Sequence, residues 1–284
     1  MSIVVTGATG HLGRHVVEQL LEKVPAHRIT AVVRTPGKAA DFAERGVRIA
    51  VADYNDPETF EGLFSAGDKV LLISGNEFDK GRPGQHQVVL DAAKAAGVAL
   101  FAYTSAPGSL TASLADDHRR TEGAILASGV PYALLRNSWY HENYTETLAP
   151  VLEHGAVVQA AGQGRVASAA RADYAAAAVA VLTGEGHENK TYELSGDTAW
   201  GFAEYAAELS RQTGREIANN TVPAETLTGI LTGVGLPGPV AEMLAEVDTS
   251  IEKGELAVTS GDLSRLIGRP TTPISESITA ALRS

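Results

Sequence analysis

Three glycines spaced three residues apart, Gly7, Gly10 and Gly13, follow the β-branched run Ile3-Val4-Val5 and open a stretch with helical periodicity. A strand that turns on glycine into a helix aims backbone N–H groups and the positive end of the helix dipole at the turn, which is the chemistry of a pyrophosphate seat. In that reading Gly7 permits the tight turn, Gly10 lets phosphate approach the backbone, and Gly13 lets the helix lie close to the strand. Thr9, His11 and Leu12 complete the expected contact segment. The spacing is Gly-x-x-Gly-x-x-Gly, and taken alone it also describes an ordinary strand-to-helix turn. Arg34 directly follows a second apolar run at residues 29–33. An acidic residue there would bind the ribose 2′-hydroxyl of NAD, whereas arginine pairs with a 2′-phosphate. The position therefore reads as selecting NADPH, against the plainer reading of a solvated arginine at a strand end. Lys38 either adds a second positive charge or is surface. Ser74 and Gly75 close a further apolar run, where small residues let the chain pass beneath ribose and nicotinamide. Residues 137–144, Asn-Ser-Trp-Tyr-His-Glu-Asn-Tyr, gather aromatic and amide groups in a chain that is only 6% aromatic, just past a strand end. Asn137, Ser138, Trp139, Tyr140 and Glu142 are expected at the cofactor, with Tyr140 and Asn143 as the catalytic candidates; the alternative is that Trp139 and Tyr140 pack the seam between two lobes.

The elements that must position these residues alternate along the chain. Val16, Val17, Leu20 and Leu21 fall on one helical face, with Arg14, Glu18, Glu22 and Lys23 on the other. Further helices are expected over 38–44, 57–64, 85–96 and 116–127, between strands at 47–50, 69–74, 100–105 and 132–136. This alternation predicts an α/β doubly wound parallel sheet of the Rossmann, NAD(P)-binding kind, with ligands at the carboxyl ends of the strands. Asp53 reads equally as a contact to the adenine amino group and as a cap for the 57–64 helix. Residues 76–84 read as a polar loop, and the loop at 107–117, rich in Ser, Ala and Gly, is expected to move over the pocket. Past residue 148 the elements shorten. Strands are expected at 156–159, 166–169 and 191–194, and helices at 173–182 (capped by Asp173), 202–213, 224–231, 237–252 and 274–282. Two parts follow: residues 1–150 as an NADPH-binding domain, and 151–284 as a smaller C-terminal α/β lobe over the substrate, with later segments able to rejoin the sheet.

Composition narrows the function classes. A chain of 284 residues that is 44% hydrophobic can fill a large core. Its formal charge of −11 argues against nucleic acid as the main ligand. With no cysteine there is no disulfide, thiolate metal site or cysteine nucleophile, and the eight histidines show no ligand spacing, so no metal is expected. Neither a signal peptide nor a membrane span is visible, which fits a cytoplasmic protein. A homodimer is compatible with the sequence.

The segments Thr6-Gly-Ala-Thr-Gly-His-Leu-Gly13, Ser128-Gly-Val-Pro-Tyr-Ala-Leu-Leu-Arg-Asn137, Trp139-Tyr-His-Glu-Asn143 and Ala170-Arg-Ala-Asp-Tyr174, with Arg34, together resemble the NmrA-like branch of atypical short-chain dehydrogenase/reductases. The likeness is strongest to the bacterial NADPH:quinone oxidoreductases of that branch, over residues 134–144 and 160–174. It implies a Rossmann fold, NADPH as cofactor and a small-molecule quinone as substrate.

One departure bears on mechanism. Standard short-chain dehydrogenases pair Tyr-x-x-x-Lys on a helix, the lysine lowering the tyrosine pKa for proton exchange with a carbonyl. No tyrosine here precedes a lysine at that spacing; the nearest pair, Tyr132 and Arg136, lies on an expected strand. His118 falls near the missing lysine's place, as a proton relay or as a solvated or capping residue. Reduction of a ketone makes an alkoxide whose conjugate acid is roughly as weak as water, and it needs a positioned acid. Reduction of a quinone makes a phenolate-like oxygen with a pKa of about 10, so the demand is far smaller and proximity does most of the work. A non-catalytic NADP(H)-binding redox sensor that regulates a partner protein would also lack the pair, and it is the alternative function.

Overall fold

The computed structural model describes residues 1–75 and 81–283. In chain order the strands are β1 (Ile3–Val5), β2 (Ile29–Val33), β3 (Arg48–Val51), β4 (Lys69–Leu72), β5 (Leu100–Ser105), β6 (Tyr132–Asn137), β7 (Ala156–Gln159), β8 (Arg165–Val166), β9 (Lys190–Leu194), β10 (Trp200–Gly201) and β11 (Ala218–Thr221). The helices are α1 (His11–Leu21), α2 (Ala40–Glu44), α3 (Arg82–Ala96), α4 (Leu114–Ser128), α5 (Glu142–Thr145), α6 (Leu148–His154), α7 (Arg171–Thr183), α8 (Phe202–Thr213), α9 (Ala224–Gly233), α10 (Gly238–Glu252), α11 (Asp262–Ile267) and α12 (Ile274–Ala281).

The chain folds into two compact units, neither of them a single run of sequence. The first is made of residues 1–106, 117–137 and 171–193, and the second of the rest. The first unit is built on a seven-stranded sheet in the order β3-β2-β1-β4-β5-β6-β9, so the doubly wound α/β fold is present. Pairing is parallel from β3 through β6, for example Val4 opposite Thr30 and Val70. β9 joins in the same sense, with backbone bonds from Asn189 to Tyr132 and from Ser138 to Leu194. Buried strands read as continuous apolar runs because both faces are covered. Val4, Val32, Val70, Leu72, Phe101 and Tyr103 meet Val89, Leu90 and Ala93 of α3 and Ile125 of α4. Val16, Val17 and Leu20 of α1 are fully buried, and α1 packs on α7, whose Ala175, Ala177 and Ala178 allow a close approach. Gln19 ties the two helices by donating to the Ala172 carbonyl at 2.9 Å.

The second unit holds two small ribbons, β7 with β11 in parallel and β8 with β10 antiparallel, among short helices. Its core includes a cluster of Tyr144, Trp200, Phe202 and Tyr205, with ring centroids 5.0 to 5.9 Å apart. The loop expected to move is instead pinned within this unit. Thr111 N–H and Ser113 N–H donate to the Glu255 and Glu246 carboxylates at 2.8 and 2.9 Å, and α4 already begins at Leu114.

Other expectations shift locally. The helix at 57–64 is only a 3-10 turn, Pro57–Phe60, and Asp56 rather than Asp53 caps it by accepting from Glu58 N–H. Asp173 lies inside the first turn of α7, fully buried, instead of capping it. α3 starts at Arg82, and the part of the polar loop at 76–80 lies outside the described residues. The 166–169 strand stops at Val166, since Ala167 and Ala169 donate to the Leu256 and Trp139 carbonyls. Among the described residues no helix is long and apolar enough to cross a membrane.

Candidate functional site

β1 is the switch point of the sheet, since β2 and β4 lead away from it on opposite sides and leave a crevice at its carboxyl end. A cavity of about 610 Å³ lies there. Gly7, Thr9, Gly10, His11, Leu12 and Gly13 line it from the turn after β1, Arg34 and Lys38 from the exit of β2, and Ser74 and Gly75 from the exit of β4. Residues far apart in sequence but expected at the cofactor thus converge on one crevice.

The three glycines do three different things. Gly7 sits at φ +62°, a conformation that side-chain-bearing residues rarely adopt. A Cβ on Gly13 would stand 2.2 Å from the Gly7 carbonyl oxygen and 2.8 Å from Ala8 Cα, so the helix packs against the turn only without a side chain. Gly10 is different: its backbone is ordinary and a Cβ would meet only the Gly7 oxygen, at 3.2 Å. The fold thus demands glycine less strictly there than at Gly7 or Gly13, although 3.2 Å is a tight contact. Gly10 is also the N-cap of α1, and no side chain caps that first turn. The N-terminal end of α1 thus faces the cavity with its dipole unopposed by a side chain.

Arg34 is exposed at the cavity and close enough to Tyr54 for its charge to act on the phenol. Burial pushes the Tyr54 phenol well above its usual pKa, so it is a neutral hydroxyl, 2.5 Å from Thr6 Oγ1 and 3.0 Å from the Ile73 carbonyl. It ties the exit of β3 to those of β1 and β4. Asp53 also lines the cavity, but one carboxylate oxygen already accepts from Asn55 N–H and Nδ2, at 2.9 and 3.0 Å, which holds the turn. Gln85 donates to Asn55 Oδ1 at 2.9 Å. Tyr54, Asn55 and Gln85 were not expected at the site. Their position after β3 was the signal for the first two, whereas nothing local marked Gln85 on α3.

The remaining expected residues follow β6. Asn137 ends that strand and is buried, as is Ser138. Trp139 and Tyr140 run against residues 168–169: the Trp139 carbonyl accepts from Ala169 N–H at 3.2 Å, and Tyr140 is bridged to Ala169. Glu142 opens α5, and Asn143 N–H donates to the Tyr140 carbonyl. His141 is fixed between Ser277 Oγ and the Ser168 carbonyl, at 2.9 and 3.1 Å. Tyr144 belongs to the aromatic core of the second unit, its buried hydroxyl without a hydrogen-bond partner and its pKa pushed well up by burial.

Two expectations about acid–base chemistry are resolved. Arg136 is engaged by Glu122 and Glu193, both at 2.7 Å, on a strand, so it does not activate Tyr132. His118 is neither solvated nor a cap. It is 7% exposed inside α4, with Nδ1 2.8 Å from Tyr103 Oη and Nε2 2.9 Å from the Arg82 guanidinium. Burial and the Arg82 charge hold its pKa well below the ordinary histidine value.

The donor set fits a nicotinamide dinucleotide. A helix N-terminus with no side-chain cap, a glycine in the cavity wall, and the side chains of Arg34 and Lys38 suit a pyrophosphate and a 2′-phosphate.

Comparison with known proteins agrees with this geometry. Residues 7–185 match the family model described as NAD(P)H-binding. Quinone oxidoreductase 2 of Escherichia coli is 46% identical over 97% of both chains. The crystal structure of the NADPH-dependent quinone oxidoreductase of Escherichia coli complexed with NADPH superposes with a TM-score of 0.95 at 45% identity, over 99% of each chain. The triphenylmethane reductase of Citrobacter sp., complexed with NADP(H), gives a TM-score of 0.94 at 42% identity, over 99% of this chain and 100% of that one. With its crevice, its glycine turn and nearly its whole length shared with these reductases, the chain belongs to the NAD(P)H-binding family, as an NmrA-like member of the short-chain dehydrogenase/reductases.

Proposed function

We propose that this protein is a cytoplasmic NADPH-dependent quinone reductase. The observation that carries the reading is a cavity shaped for the reductant without a tyrosine–lysine acid beside it: among the described residues, the phenol that lines it, Tyr54, is held neutral by burial. Bound NADPH supplies the hydride. Gly10 and the first turn of α1 hold the pyrophosphate, Arg34 and Lys38 the 2′-phosphate, and Ser74 and Gly75 leave room for the ribose and nicotinamide. A quinone suits such a site because its reduced oxygen resembles a phenolate, with a pKa of about 10, and leaves without a strong acid. Asn137, Ser138, Trp139, Tyr140, Glu142 and Asn143 are assigned to the cofactor and acceptor, with flat rings to stack on a quinone and amide or hydroxyl groups to orient its oxygens. Similarity to quinone oxidoreductase 2 supports the same substrate class.

The test is oxidation of NADPH by purified protein with a simple benzoquinone as acceptor. Rapid, protein-dependent oxidation is expected; tight NADPH binding with no turnover across a quinone panel would favour the redox-sensor reading. Tyr140→Phe separates ring from hydroxyl. If the ring stacks and the hydroxyl is dispensable, kcat falls less than about threefold, whereas a loss of roughly a hundredfold assigns proton transfer to that hydroxyl.

A further inference from the structure

Beneath the exit of β4 lies a buried chain of polar side chains that the reductase chemistry does not use. Gly75 N–H donates to His86 Nε2 at 3.1 Å, and the other ring nitrogen lies 2.9 Å from Thr121 Oγ1. Tyr103 Oη stands 2.8 Å from His118 Nδ1, and His118 Nε2 stands 2.9 Å from Arg82 Nη2. Arg82, His86, Tyr103, His118 and Thr121 are all buried.

The direction of every bond follows from its ends. An arginine only donates, so His118 Nε2 accepts and its proton sits on Nδ1, donated to Tyr103 Oη. At the other end Gly75 N–H donates to His86 Nε2, so the His86 proton sits on Nδ1 and goes to Thr121 Oγ1. Tyr103 Oη also stands 3.4 Å from His86 Nδ1, which already carries a proton and cannot accept from it. Thr121 then donates to the Asp117 carbonyl at 2.9 Å. Both imidazoles are therefore neutral Nδ1–H tautomers. A chain closed by a guanidinium cannot pass a proton inward, so it is not a relay. Arg82 is also costly where it stands, being a buried cation in the first turn of α3, at the positive end of the helix dipole. Its return is that it sets the tautomer of His118.

We propose that His86 is a positioning residue for the nicotinamide half of NADPH: Thr121, which donates to the Asp117 carbonyl and accepts from His86 Nδ1–H, leaves Nε2 as an acceptor, and through the Gly75 N–H that nitrogen fixes the Ser74–Gly75 segment lining the cavity. The assignment rests on reading this cavity as the NADPH site. It predicts a divided effect, because Ser74 and Gly75 serve the nicotinamide half whereas Arg34 and Lys38 serve the adenine half.

The experiment compares the dissociation constants of NADPH and of adenosine 2′,5′-bisphosphate, which carries only the adenine half, for wild type, His86→Leu and His86→Gln. Leucine removes the acceptor, whereas the glutamine amide oxygen can replace it. NADPH binding is expected to weaken roughly tenfold in His86→Leu and to recover largely in His86→Gln, with bisphosphate binding unchanged throughout. Equal NADPH affinity in wild type and His86→Leu, parallel weakening of both ligands, or no recovery with glutamine would overturn the proposal. Failure of wild type to bind either ligand would instead overturn the reading of the cavity. Should His86→Leu not fold, nitrogen-15 NMR of the wild-type imidazoles decides: both rings are expected as neutral Nδ1–H tautomers at neutral pH, and an Nε2–H tautomer at His86 would refute the chain.

Discussion

Arg34 and the glycine turn are where single substitutions separate binding from folding. Arg34 is exposed and supports no core, so Arg34→Asp exchanges an attraction for the 2′-phosphate for a repulsion while leaving the fold intact. NADPH affinity should fall by roughly tenfold to a hundredfold and NADH affinity should hold, as read by titration with both cofactors. An unchanged preference for NADPH would remove Arg34 from the phosphate site. The glycines predict an opposite pair. In Gly13→Ala the new Cβ meets backbone at 2.2 Å, so the turn or helix must shift, and a stability loss of roughly 3 kcal/mol is expected by denaturant unfolding. In Gly10→Ala the neighbouring oxygen is 3.2 Å away and need give only a few tenths of an ångström, so the stability loss should be well below that of Gly13→Ala while NADPH binding weakens. A Gly10→Ala protein that binds NADPH normally would mean that phosphate does not approach that residue. The glycine spacing was legible in the sequence; which of the glycines the fold itself requires was not, because it depends on what each absent Cβ would touch.

At the scale of elements, the strand ends are held by polar ties that no local pattern announces. Glu122 on α4 accepts from Ser105 of β5 at 2.6 Å and from Arg136 of β6, and Arg136 reaches Glu193 of β9. Glu122 is buried, and these hydrogen bonds keep Arg136 firmly protonated, so the group is one unit spanning three strands. Glu122→Ala should cost roughly 1–3 kcal/mol, and with Arg136→Met the two losses should couple by about 1 kcal/mol or more in a double-mutant cycle. Strictly additive losses would show that the tie is cosmetic. Apart from the 57–64 helix, the helices and buried strands of the first unit were readable to within a few residues because the apolar period changes cleanly between them. β11 was missed: Ala218-Asn-Asn-Thr221 is polar and mostly exposed, and it is a strand only because β7 lies beside it. α11 and β10 were missed because each is too short to show a period.

For the whole molecule, buried titratable groups set an acid response that differs between the two units. Burial and the Arg82 charge lower the His86 pKa from 6.5 to about 3, and burial lowers that of His118 as well. Folded values below the unfolded one mean that stability is fully present above about pH 6.5 and is lost as the pH falls toward 3, since the unfolded chain takes up protons that the native one refuses. Two such groups give a slope of up to about 2.7 kcal/mol per pH unit. Asp248, in the second unit, has the opposite sign. Burial raises its pKa from 3.8 to about 6, so its destabilising charge is present at neutral pH and disappears on acidification through that value. Hydrogen-exchange protection should therefore fall in residues 1–106 between about pH 6.5 and 5 and be spared in residues 194–284. Equal loss in both segments would contradict these assignments. Sequence by itself determined the sheet class and the cofactor type, because glycine turns, apolar periods and the charge at a strand end are local and their physics acts within a few residues; the reductase family came from the resemblance of whole segments. Only the tertiary structure decided that His118 is a neutral link to a buried arginine, that Tyr54 and Gln85 line the cavity, and that residues 171–193 return to the first unit, with β9 in its sheet. Those facts depend on which side chains meet across more than ten residues of intervening chain, and burial then sets the proton positions and pKa values that no local pattern encodes.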